Sequence, residues 1–228
     1  MITLDGHTAL VTGSTHGVGR AIAEAFAQAG ADIVLHGLRD DDAAKQALDA
    51  CKTTGRNCGI VFCDLSDQIG SSAKYLFERA TDKHSKIDIL VNNAGSYFDK
   101  PFLEMDVESY ERTMRLNVEA AYFLTQQFAR HWVQHRVQGR VLMTGSINGR
   151  LAEQNHTAYD TSKGAIEMMV KSLCVALAPH GIRVNGVAPG LVRTPLTESA
   201  ISNEKFRKWM ELHTPAGSIP PPEVCAGA

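Results

Sequence analysis

Residues 11–30 read VTGSTHGVGRAIAEAFAQAG, and no other stretch limits the fold as strongly. A β-branched run, TALVT at 8–12, enters a turn with Gly13, Gly17 and Gly19 spaced GxxxGxG. An alanine-rich amphipathic segment then follows at 18–29. Glycine permits a positive φ or a close backbone approach. At a first strand-to-helix junction, such a turn also gathers backbone N–H groups at a helix N-terminus, which favours a bound pyrophosphate. Three glycines at that junction favour a dinucleotide site over a plain tight turn. Thr15, His16 and Val18 share the loop and are further candidate contacts.

The rest of the chain repeats the strand–helix rhythm. Strands are expected at 8–12, 32–37, 58–63, 87–92, 140–146 and 182–188. Helical periodicity covers 18–29, 41–53, 67–83, 107–136 and 157–179. Apolar strands alternating with helices imply a parallel sheet covered on both faces. No repeat or linker divides the 228 residues. The expected fold is therefore α/β, one doubly wound domain over 1–228. Residues 189–218 lack strong periodicity, and IPPPEVCAGA reads as the proline-led opening of another helix. A terminal helix of one or two turns is marginal, so a further segment is expected after it.

Composition removes several function classes. Net charge is −2 with no basic block, which gives no footprint for nucleic acid or an anionic membrane. The first ten residues have neither a basic nor an apolar signal region, and no apolar run approaches a membrane span. A soluble cytoplasmic protein is expected. Five cysteines without a CxxC pair fit reduced thiols. His131 and His135 sit at helical spacing, but no acid or cysteine completes a metal-ligand set, so no metal is expected.

At the end of the second strand, LHGLRDDD places Gly37 where an acid would hold the adenine ribose hydroxyls and select NAD. Arg39 follows, and a guanidinium suits a 2′-phosphate. Asp40, Asp41 and Asp42 oppose that field and could instead mark an exposed helix start. The balance leans to NADP over NAD.

In AYDTSKGA, Tyr159 and Lys163 stand at i and i+4, which puts them on one helix face. Alone, that spacing fits an exposed helix pair. Together with TGSTHGVG (12–19), NNAG (92–95), Ser146 and PG (189–190), all in order, the chain resembles the short-chain dehydrogenase/reductase family over residues 4–228. The resemblance implies a Rossmann-type sheet, a nicotinamide cofactor and hydride transfer between an alcohol and a carbonyl. It also implies a seventh strand and a tail beyond the point where this sequence stops.

Carried over by position, Asn117, Ser146, Tyr159 and Lys163 match the family's catalytic set. Asp64 and Leu65 match its adenine contact. Asn92, Ala94 and Gly95 match residues lining the cofactor. Pro189, Gly190, Val192 and Thr194 match the segment that holds the nicotinamide carboxamide, and 191–213 resembles a mobile substrate lid. The resemblance makes Asn117 a helix distortion whose carbonyl holds a relay water; the residue alone reads as a solvated asparagine.

A tyrosine near pH 10 needs roughly 3–4 kcal/mol of phenolate stabilisation to work near neutrality. Lys163 and an oxidised nicotinamide have the required sign, which lets Tyr159 exchange a proton with the substrate oxygen. Asn148, Glu153, Gln154, Asn155 and His156 could read a sugar or polyol, or could cap the helix and face solvent.

The leading reading is an NAD(P)-dependent oxidoreductase on a small polar secondary alcohol or ketone. The alternatives are a 3-oxoacyl thioester reductase, with Arg130, Arg136 and Lys171 as docking cations, and a non-catalytic nicotinamide-binding module. Apolar residues on the helices at 107–136 and 157–179 predict a homodimer or homotetramer.

Overall fold

The structure, a computed structural model, describes residues 3–227 except Ile69 and Ser85. Six strands form one parallel sheet: β1 (Thr8–Val11), β2 (Asp32–Gly37), β3 (Cys58–Phe62), β4 (Ile89–Asn92), β5 (Arg140–Thr144) and β6 (Arg183–Val187), in the order β3-β2-β1-β4-β5-β6. The order reverses between β1 and β4. At that point successive crossovers leave on opposite faces and their strand ends open a crevice.

Side-chain alternation along β1 builds a core on each face. Ala9 and Val11 pack with Ile22, Ala23 and Ala27 of α1 (Gly17–Gln28) and with Ala47 of α2 (Asp42–Lys52). Leu10 faces the other way. It joins Leu76 of α3 (Ser71–Lys83), Leu124, Phe128 and Trp132 of α5 (Ala120–His135), and Ile166 and Met169 of α6 (Thr157–Leu177). The period-two pleat sends successive β1 side chains to opposite faces, which is why one strand contributes to both cores. Trp132 is fully buried and its Nε1 donates to the Ile87 carbonyl at 2.7 Å.

Several expected boundaries move. The helix expected from 67 begins at Ser71, after Gly70 at φ +80°. The helix expected over 107–136 is three pieces: α4 (Val107–Met114), a π turn over Arg115–Glu119, and α5. Ser146 does not end the fifth strand. β5 stops at Thr144, and Ser146 caps a short 3-10 turn (Ile147–Gly149), its hydroxyl accepting from Asn148 N. The weakly periodic stretch after β6 contains α7 (Glu198–Ser202) and α8 (Glu204–His213), the latter started by Asn203 accepting from Phe206 N.

Candidate active site

The glycine turn is defined by contact as well as by φ. Gly13 and Gly17 have φ of +61° and +59°. A Cβ on Gly13 would lie 2.9 Å from Ala94 Cα, and one on Gly19 would lie 2.3 Å from the Gly13 carbonyl. Helix α1 then starts with no side-chain cap and no acid in its first turn. Its first N–H groups therefore remain available for an anion, the arrangement a dinucleotide pyrophosphate fits. Thr15 is buried, His16 occupies the N-cap position with Nδ1 3.0 Å from Thr15 Oγ1, and Val18 packs on the core beneath.

Two residues not singled out in the sequence hold this turn. Gly13 N donates to His36 Nδ1 at 3.1 Å, which leaves the proton on Nε2 to donate to the Cys63 carbonyl at 3.1 Å. Burial pushes the imidazole down to about 4. Asn93 Nδ2 donates to the carbonyls of Thr12 and Gly13 at 3.0 and 3.2 Å. Its neighbour Asn92 instead points into the far core, donating to Thr125 Oγ1 at 2.9 Å. The cue for His36 was a polar residue inside an apolar strand, one position before Gly37.

At the adenosine end, a Cβ on Gly37 would lie 2.5 Å from Thr15 Cγ2. Any side chain at position 37 would therefore have to displace Thr15. Arg39 is exposed, while Asp41 caps α2 by accepting from Ala44 N at 2.9 Å. Asp64 Oδ1 accepts from Ser66 N and Oγ, and Leu65 is buried beside it. Across the cleft, Ile147 N donates to the Pro189 carbonyl, Gly190 follows, and Val192 is buried. A Cβ on Gly17 would touch the Thr194 side chain at 3.4 Å, so the segment at 189–194 borders the phosphate loop.

The reacting groups gather where β4, β5 and α6 meet. Lys163 is buried, its Nζ donating to the Thr144 carbonyl at 2.9 Å and lying 5.5 Å from the Tyr159 ring centre. Burial pushes its ammonium down to about 8. Asn117 lies in the π turn and is only 3% exposed, not the solvated side chain its residue type suggests. Its Oδ1 accepts from Ser96 N, while its Nδ2 donates to the Ser96 carbonyl and to Ser162 Oγ, each at 2.9 Å. A Cβ on Gly95 would lie 3.2 Å from Asn117 Oδ1 and 3.7 Å from Lys163 Nζ, so the backbone at Gly95 runs close beside both side chains.

Tyr159 departs from the expected shift toward neutrality. Burial raises the phenol, the hydrogen-bonded Ser146 hydroxyl pulls it down, and Tyr97, Asp160 and Glu153 add to the rise. In the chain itself, desolvation outweighs stabilisation of the phenolate.

A glycine cradle at the switch point of a parallel sheet, beside a Tyr–Lys pair and the serine that caps the turn after β5, defines a dinucleotide-dependent oxidoreductase. Residues 7–205 match the family model described as short chain dehydrogenase. The chain is 33% identical over 227 residues to an L-rhamnose 1-dehydrogenase (NAD(P)(+)) of Sphingomonas sp. (strain SKA58), covering all of this chain and 89% of that protein. It is 34% identical over 226 residues to a 3-oxoacyl-(acyl-carrier-protein) reductase of Aquifex aeolicus (strain VF5), covering 99% and 89%. The solved gluconate 5-dehydrogenase from Burkholderia cenocepacia J2315, in complex with NADP and tartrate, superposes with a TM-score of 0.91 at 29% identity, covering 99% of this chain and 87% of that one. The chain belongs to the short-chain dehydrogenase/reductase family and is an NAD(P)-dependent oxidoreductase.

Proposed function

We propose that the protein interconverts a secondary alcohol and a ketone, or a lactol and a lactone, on a small polyhydroxylated substrate, with NADP preferred over NAD. The observation that carries this reading is the Ser146–Tyr159 pair opening onto a polar rim made by Asn148, Glu153, His156 and Asp160. A sugar's hydroxyls can donate to the remaining lone pairs of these carboxylates, an interaction that an apolar substrate does not offer. The relatives named for L-rhamnose and gluconate support the same class. Gly37 and Arg39 favour the 2′-phosphate by removing a repelling acid and adding a cation.

Each residue has a defined task. Ser146 donates to the substrate oxygen and fixes its position. Tyr159 takes the hydroxyl proton during oxidation and returns it during reduction. Lys163 keeps positive charge under the phenol, and Asn117 braces the loop over Lys163 through Ser96. A bound nicotinamide supplies the hydride acceptor or donor. The segment at 191–213, tied at Leu196 by the Tyr97 hydroxyl at 3.0 Å, serves as the lid that excludes water.

The 3-oxoacyl reading keeps the chemistry and gains support from the Aquifex relative. Its docking cations are dispersed, however, and Lys171 is already paired with Glu167 at 2.8 Å. The test is NADPH and NADH oxidation with sugar-derived ketones or lactones and 3-oxoacyl thioesters. We expect turnover on the polyol carbonyls and a loss of at least about 100-fold in Tyr159→Phe. Preference for the thioester would reverse the order of the two readings, and turnover unchanged in Tyr159→Phe would remove the phenol from the mechanism.

A further inference from the structure

The segment between Ser146 and Tyr159 folds into a connected wall beside the phenol. Asn148 N donates to Ser146 Oγ at 3.1 Å, and Asn148 Nδ2 donates to Asp160 Oδ1 at 2.8 Å and Glu153 Oε1 at 3.3 Å. Glu153 N donates to Asp160 Oδ2 at 2.9 Å. His156 Nε2 faces Asp99 Oδ1 at 2.6 Å, and its Nδ1 lies 3.4 Å from Glu153 Oε2. The Tyr97 ring closes the set, 5.2 Å from His156 and 5.7 Å from Tyr159.

The wall therefore brings three carboxylates and one imidazole to the reacting centre. Burial is the main cause that raises both phenols, and the carboxylates add to it: Asp160 and Glu153 at Tyr159, Asp99 and Glu153 at Tyr97. Several neighbouring cations are already engaged, while the Arg112 guanidinium lies 5.5 Å from the Phe98 ring centre. Arg150 pairs with both oxygens of Glu167 at 2.9 Å, Lys100 pairs with Asp106, and Lys163 is buried against Thr144. In the lid, Arg193, Arg207 and Lys208 stand beside Glu198, Glu211 and Glu204.

We propose that this carboxylate wall makes the site selective for neutral polyols and sugars over sugar acids of the same skeleton. The inference rests on the polyol reading and narrows it. Ionised carboxylates only accept hydrogen bonds, and vicinal hydroxyls are donors. A substrate carboxylate brings no donor and meets like charges beside the phenol, a repulsion that added salt screens because Glu153 and Asp99 are about half exposed. The discrimination comes from the repulsive element as much as from the attractive one.

The test compares D-glucose with D-glucuronate and D-mannose with D-mannuronate, each pair keeping the pyranose ring and differing only in CH2OH against carboxylate at C6. Binding to the NADP-loaded Tyr159→Phe protein is measured by calorimetry, and NADP+ reduction is measured with the unmodified protein. We expect the neutral member of a pair to bind at least about tenfold tighter in low salt, with the gap narrowing as ionic strength rises. Glu153→Gln, a change at an exposed side chain, should raise the acid-to-sugar ratio about threefold or more. An acid bound equally or more tightly would overturn the selectivity and leave the polyol reading standing, because lid cations would then supply the charge. Binding and turnover of neither class would overturn the polyol reading and this inference with it.

Discussion

At the residue scale, the site depends on side chains that never touch substrate. His36 is the clearest case, because its ring joins the glycine turn to the end of β3, where Asp64 and Leu65 stand. Leaving the partly buried Gly13 N–H without an acceptor costs about 1–3 kcal/mol. His36→Leu should therefore weaken NADP binding by about 5- to 100-fold by fluorescence titration, with kcat at saturating cofactor changed by less than about threefold. His36→Asn, which keeps an acceptor near Nδ1, should recover part of that affinity. A plain packing role would not yield this recovery or the split between binding and kcat. The folded imidazole titrates at about 4 against an ordinary 6.5. Between those values the unfolded chain binds the extra proton, so His36 removes stability as pH falls from 6.5 toward 4. Urea unfolding in that window should show a shallower pH slope for His36→Asn than for the parent. Tyr159, Lys163 and the glycines were legible because each is a spaced polar or flexible residue with a chemical purpose. His36 and Asn93 were not, since their roles depend on which strand lies next to the turn.

At the element scale, periodicity located the helices but not their defects. Residues 107–136 read as one helix, and the structure inserts a π turn that carries Asn117 inward. The reason is pairing across the chain: Asn117 completes the backbone groups of Ser96 at 2.9 Å, a contact that helical spacing cannot announce. The C-terminus of α5 has a second irregularity. Arg136 takes φ +55°, the left-handed conformation, which turns the chain so that the Val137 N–H donates to the Trp132 carbonyl at 2.8 Å. A helix commonly ends this way with glycine, and a Cβ there costs roughly 1 kcal/mol. Arg136→Gly should raise stability by about 0.5–1 kcal/mol in chemical denaturation and leave the kinetics unchanged. Gly139→Ala, three residues on, should do the opposite, because its Cβ would lie 2.0 Å from the buried Trp132 ring.

At the scale of the molecule, the alternation of strands and helices conveyed the layered architecture, while the strand order came only with the structure and the family. What the fold leaves uncovered bears on assembly. Tyr122 and Val133 on α5, with Leu173 and Leu177 on α6, line an open groove of about 470 Å³. Met168 and Val175 stand exposed farther along the outer surface of α6. Scattered apolar side chains are ordinary on a monomer, but a contiguous groove between two long helices is a surface that a second copy could bury. Two antiparallel copies of α5 and α6 would pack as a four-helix face, large enough to approach the roughly 800 Å² per partner of a stable interface. We therefore expect a dimer or tetramer by sedimentation at micromolar concentration. Val133→Glu places a charge in that groove without disturbing the monomer core and should shift the distribution to monomer. If the parent protein sediments only as a monomer, the groove has no role in self-association. If Val133→Glu keeps the parent's assembly, the copies meet through another face.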